Sequence, residues 1–109
     1  MSDPEIYNAG DEAQVKGRGR KADLARRREL DDLKQVMSSA AGRRLVWRAL
    51  GYCGVHRSSF STNAIQMSYS EGRRNVGLWL ESEVMEVSPE HYLLMQQEAF
   101  TKEKSDTTE

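Results

Sequence analysis

Cys53 is the only cysteine in 109 residues, so the chain can close no disulfide within itself and cannot build a zinc site on paired cysteines. No apolar run approaches the roughly 18 residues that a membrane span requires. The opening MSDPEIYNAGDE is acidic where a secretory signal needs an apolar centre. These absences lead to the expectation of a soluble protein without a membrane anchor, suited to a reducing environment. Paired carboxylates, a glycine-rich phosphate loop and metal-ligand spacings are missing as well, so no catalytic residue, metal or cofactor is expected. Cys53 and His56 lie close together in CGVHRSSF and could form a thiol–imidazole couple. A third group to orient the histidine cannot be identified, and both residues sit in one short connection, so the expectation is a protein that is not an enzyme.

What remains is small and polar. Hydrophobic residues make up 38% and charged residues 30% of the chain, which fits a single small domain leaning on a partner or on oligomerisation. The net charge of -1 hides a segregation: residues 1–15 hold four acids and no bases, residues 16–80 hold 14 bases and five acids, and residues 81–109 hold two bases and eight acids. An acidic–basic–acidic order suits a nucleic-acid-binding middle, self-neutralisation within the fold, or head-to-tail pairing of copies.

The pattern along the chain predicts an all-α fold, a small bundle of about four helices with flexible termini. Residues 1–19 read as an extended or disordered arm, because KGRGRK carries two glycines that oppose a helix. Residues 20–100 form the helical domain, and residues 101–109 a disordered tail. A long charged helix begins at KADLARRR, with Leu30, Leu33 and Met37 as its apolar seam, Leu24 and Val36 flanking it, and Arg27–Asp31 and Arg28–Asp32 as surface ion pairs. Ser38 or Ser39 starts a second helix ending at Gly51, with Gly54 just beyond. Val55 and Phe60 are expected to tuck beneath the connection that follows. A third helix, capped by Thr62, Ser68 or Ser70, presents Tyr69, Gly72, Val76, Leu80, Val84 and Val87 on one face. Ser88-Pro89-Glu90 opens a short last helix, packed through Tyr92, Leu93, Met95, Ala99 and Phe100.

Two stretches place Gly-Arg-Arg ahead of an apolar run with a tryptophan: GRRLVW from Gly42 and GRRNVGLW from Gly72. They align only with a two-residue insertion, which argues against a duplication. Arg43, Arg44, Trp47, Arg73, Arg74 and Trp79 have three readings: arginine stems packed over core tryptophans, anchors of a protein interface, or a phosphate clamp beside a stacking ring. Gly72 and Gly77, tolerated inside a helix, suggest close approach of another backbone. Lys16, Arg18, Arg20, Lys21, Arg26, Arg27 and Arg28 form a basic arm and helix start that is either solvated or in contact with nucleic acid.

GVHRSSFS (54–61), SEGRRNVGLWL (70–80) and SPEHYLLMQQE (88–98), preceded by GRRLVWRAL (42–50), together resemble small proteins encoded among the head and tail genes of short-tailed bacteriophages, the podoviruses. The resemblance covers about residues 20–100. Its matching positions are Gly42, Arg43, Arg44 and Trp47; Gly54, Arg57, Ser59 and Phe60; Glu71, Gly72, Arg73, Arg74, Gly77, Leu78 and Leu80; and Pro89, Glu90, Tyr92 and Met95. It implies a non-enzymatic virion component made in the host cytoplasm, placed inside the head or at the portal or tail vertex. Such a component would aid particle assembly or genome ejection. The implied partners are portal, tail or internal head proteins, further copies in a ring-shaped homo-oligomer, and packaged DNA. A small nucleic-acid-binding or regulatory phage protein is the alternative.

Overall fold

The computed structural model describes residues 9–107, and every regular element among them is an α-helix: α1 (Ala9–Ser38), α2 (Ala40–Cys53), α3 (Ala64–Val87) and α4 (Pro89–Thr107). The four-helix, all-α expectation is met. Short-range polar chemistry sets the boundaries. Ser39, in extended conformation, accepts the Gly42 N–H at 3.0 Å and so caps α2. Gly54 ends α2 at φ 75°, a left-handed value that glycine reaches without a Cβ penalty, and its N–H donates to the Gly51 carbonyl at 3.1 Å. Ser88 is completely buried between α3 and α4. Its N–H donates to the Val84 carbonyl, its own carbonyl accepts the His91 and Tyr92 N–H groups, and its hydroxyl donates to Glu90.

Several boundaries differ from the sequence expectation. Asn63 caps α3 by accepting from Ile65 and Gln66 N–H, a role that sequence reasoning gave to Thr62, Ser68 or Ser70. Gly51 lies inside α2 rather than at its end. Residues 9–19, expected as part of an extended arm, are helical, while residues 1–8 of that arm lie outside the described residues. Gly17 and Gly19, the two glycines of KGRGRK, each cost about 1 kcal/mol against alanine. Propagating an existing helix is nevertheless cheap beside nucleating one. Asp11 and Glu12 in the first turn complement the helix dipole, and Glu12 pairs with Lys16 at 3.2 Å. The last helix likewise continues to Thr107 with Lys104 in its final turn; it is longer than α2, not short.

Met37, Val46, Leu50, Val55, Val84 and Met95 form the core, one or two residues from each helix and one from the connection after α2. Leu33, Trp47, Leu78, Leu80 and Tyr92 pack around it. This is a thin assembly. The principal extents are 80 × 39 × 15 Å and the radius of gyration is 21.4 Å, against roughly 13 Å for a compact chain of about 100 residues. Most of α1 stands clear of the bundle, which explains why Leu24 is exposed although it flanks the expected seam.

The orientation of α3 departs from its expected face. Gly77 is buried against the end of α2, where a Cβ would meet Val55 Cγ2 at 2.4 Å and Cys53 Cβ at 2.6 Å. That contact turns Gly77, Val84 and Glu83 inward and leaves Tyr69 and Val76, both expected in the core face, in solvent. Phe60 is 77% exposed rather than tucked in, and Leu93 and Phe100 of α4 also face outward.

Candidate functional site

Two arginine–carboxylate forks hold the plate together. Arg43, on the first turn of α2, is buried. Its Nε donates to Glu98 Oε1 at 2.7 Å, one terminal nitrogen reaches Glu98 Oε2 at 3.2 Å, and the other donates to the Met37 carbonyl at 2.9 Å. One side chain thus joins the end of α1, α2 and α4. Arg26 makes the second fork, to both oxygens of the buried Glu83, and touches Glu86 at 3.2 Å. Bidentate geometry of this kind is both strong and orienting. On the α3–α4 side, the Tyr92 hydroxyl donates to Glu81 at 2.7 Å; burial, then that carboxylate, push the phenol up to about 12.

The pairs depress their carboxyls. Glu98 is held below its ordinary value by the Arg43 hydrogen bond, Glu83 by that of Arg26, and Glu90 by its own backbone N–H and then the Ser88 hydroxyl. A carboxyl whose folded value lies below its unfolded one stabilises the fold fully above the unfolded value, and that contribution disappears as pH falls through the folded one. The melting temperature should therefore decline as pH drops below about 4.5. A Glu83→Gln, Glu98→Gln variant should melt lower near neutrality and show a flatter acid decline. Thermal unfolding followed by circular dichroism across that range checks it; a parental slope in the variant would remove the two pairs as its cause.

The arginines and tryptophans singled out from sequence separate into different surroundings. Arg43 is engaged inside the fold, while Arg44 is exposed beside it. Trp47 is half-buried against the core, with the His56 ring at 5.2 Å; Cys53 is also half-buried. Arg44, Arg48, Leu45, Trp47, Ala99 and Lys102 help line an open groove of about 670 Å³ between α2 and α4. Arg48 and Lys102 were not anticipated there, because only the pairing of α2 with α4 brings them together. Arg73 lies over two rings, 5.2 Å from Tyr52 and 5.4 Å from Tyr69. Trp79 is 60% exposed. Gly77 makes the close approach within the chain, whereas a Cβ on Gly72 would meet nothing within 4 Å.

Ile65, Tyr69, Val76 and Trp79 thus form an outward apolar stripe along α3, from 58% to 82% exposed, with the bare backbone of Gly72 between them. Tyr69, Gly72 and Val76 share a face in the sequence pattern, but that face was expected to point into the core together with Leu80, Val84 and Val87, and Ile65 and Trp79 were not placed on it. On α1, Lys16, Arg18, Arg20, Lys21, Arg27 and Arg28 are exposed, and Arg26 alone of that basic set is engaged with α3. No group of three or more metal-binding side chains occurs among the described residues, and no described helix is long and apolar enough to cross a membrane.

Residues 33–97, well over half of the chain, match the family described as Bbp19-like phage protein. The chain belongs to this phage protein family. The matched span begins within the last turns of α1 and ends in α4, so it takes in the core, Arg43, the α3 stripe and the cluster around Arg73, and stops one residue short of Glu98. It leaves out most of the projecting basic part of α1. No curated protein and no solved structure matches the chain.

Proposed function

We propose that the protein is a non-enzymatic component of the particle of a short-tailed phage, lodged in the head or at the portal or tail vertex. There it aids assembly or genome ejection through protein–protein contacts. The observation that carries this reading is the α3 stripe: large apolar side chains, tryptophan among them, aligned on an outer face around a glycine open enough to admit another helix. Contiguous exposed apolar surface marks interaction sites, and tryptophan is enriched among binding hot spots. Family membership supplies the phage context. A basic middle and an acidic C-terminal part suit head-to-tail packing of copies, which closes into a ring when the rotation permits. Mass spectrometry of purified particles should find the protein at a fixed ratio to the major head protein. Particles lacking it would end this proposal.

The six exposed bases of α1 between Lys16 and Arg28 support a second reading, a nucleic-acid-binding or regulatory protein made during infection. Its mark would be DNA affinity that falls steeply with salt and is lost when Lys16, Arg20 and Arg27 are changed to glutamine, in a protein absent from particles.

A further inference from the structure

The turn that follows α2 and the middle of α3 enclose a small polar cavity of about 170 Å³, lined among others by Arg57, Arg73, Arg74, Ser59, Ser70 and Cys53. Three arginines line it from two elements. None of them has a carboxylate within 4.0 Å among the described residues, whereas Lys16, Arg26 and Arg43 each form ion pairs. The carboxylate nearest in sequence, Glu71, accepts the Ser59 hydroxyl. Arg57 donates one N–H to the Gly51 carbonyl at 3.2 Å, and Arg73 is steadied by the Tyr52 and Tyr69 rings. Both Nε groups of Arg73 and Arg74 are buried without any hydrogen-bond acceptor.

Each feature needs an account that packing alone does not give. Like charges held together repel, and a buried donor without a partner costs free energy that the fold recovers only when an acceptor arrives. Elsewhere the protein answers its inward arginines with glutamates; here the lining supplies hydroxyls, which do not neutralise the cations, and the Ser59 hydroxyl is itself committed to Glu71. The cavity is also smaller than the roughly 300–1,000 Å³ typical of pockets for drug-sized ligands. We infer that this cavity is a binding site for a single phosphate group, held by Arg57, Arg73 and Arg74, with the Ser59 and Ser70 hydroxyls at its edge. A tetrahedral oxyanion carries enough acceptors to satisfy several guanidinium N–H groups at once, and planar guanidinium forks match its edges. A modest turn of Arg73 and Arg74 onto it gives their Nε groups the acceptor they lack. The inference stands apart from the particle-contact reading, since it uses neither the α3 stripe nor any partner protein.

The test is a titration of the full-length protein with inorganic phosphate at constant ionic strength, sodium chloride serving as the matched control. It is read by the arginine Nε–Hε resonances in a nitrogen-15 correlation spectrum. The expected result is saturable movement of the Arg57, Arg73 and Arg74 signals and not of Arg28. In Arg73→Gln and Arg74→Gln the affinity should fall about tenfold for each arginine removed. Because the shifts are read on the parent protein, poorly folded variants do not block the result. A parallel titration with a short single-stranded oligonucleotide separates the sources: tighter binding of the oligonucleotide through the same three signals assigns the site to a nucleic-acid backbone, and response to phosphate alone assigns it to a free phosphate. Movement no larger than with chloride, or unchanged affinity in both glutamine variants, overturns the inference.

Discussion

Replacing Gly42 by alanine should lower the melting temperature by roughly 12–24 °C, corresponding to about 3 kcal/mol in a domain of this size. The reason is the tight corner between α1 and α2. A Cβ at position 42 would lie 1.8 Å from the Val36 carbonyl oxygen and 2.7 Å from its carbon. That carbonyl is backbone, tied by the Ser39 N–H and hydroxyl at 3.4 Å and 3.3 Å, so it cannot swing aside as a side-chain tip would. Alanine favours a helix over glycine by about 1 kcal/mol, which works in the opposite direction and is outweighed. Gly51 provides the internal control: it lies in the same helix with nothing within 4 Å of its Cβ position, and Gly51→Ala should hold or raise stability. Thermal unfolding of both variants by circular dichroism decides the matter. If Gly42→Ala melts with the parent, the corner is looser than described.

The second large effect concerns assembly rather than folding. Val76→Lys with Trp79→Lys places two charges on the outward stripe of α3, where exposed substitutions ordinarily change folding stability by no more than about 0.5 kcal/mol. Loss of a tryptophan hot spot costs about 2 kcal/mol or more of binding, hence a fall of at least about 25-fold in affinity. The variant should fold as the parent does, shift to lower mass in light scattering, and be missing from phage particles after infection with the corresponding mutant. A folded variant that keeps parental mass and enters particles normally would remove the stripe from the contact surface. The pair of outcomes separates damage to the fold from damage to an interface, which a core substitution cannot do.

The number of helices and the start of the second and fourth were readable from sequence because they depend on neighbouring residues. Ser39, Ser88 and Pro89 act within one turn of chain, and Gly54 ends α2 through its own conformation. The rotation of α3 was not readable in the same way. Its apolar residues surround the helix, and the choice of inner face is made by Gly77 meeting Val55 and Cys53, two residues that precede α3 in the chain. The forks were hidden for a related reason. Arg26 and Glu83, or Arg43 and Glu98, stand more than fifty positions apart, and nothing local distinguishes them from Arg27 or Glu103. Sequence reasoning expected Arg27 and Arg28 to pair with acids one turn away, an interaction worth only tenths of a kcal/mol; the ion pairs that join elements are long-range. As for the candidate site, the tryptophan and glycine positions were identified early, whereas Arg57 joins Arg73 and Arg74 only because the turn after α2 folds back onto α3.

The least dimension of the protein, 15 Å, is less than a fifth of its 80 Å length. A body so shallow has little interior: Met37, Leu50, Val84 and Met95 are its almost fully buried apolar side chains, and the helices around them turn their opposite sides to water. Two neighbours seated on opposite faces would be separated by that small core, so a shift imposed by one would reach the other through a few close-packed side chains. Were it seated between larger bodies, a protein of this shape would act as a shim, setting their spacing and passing strain across it.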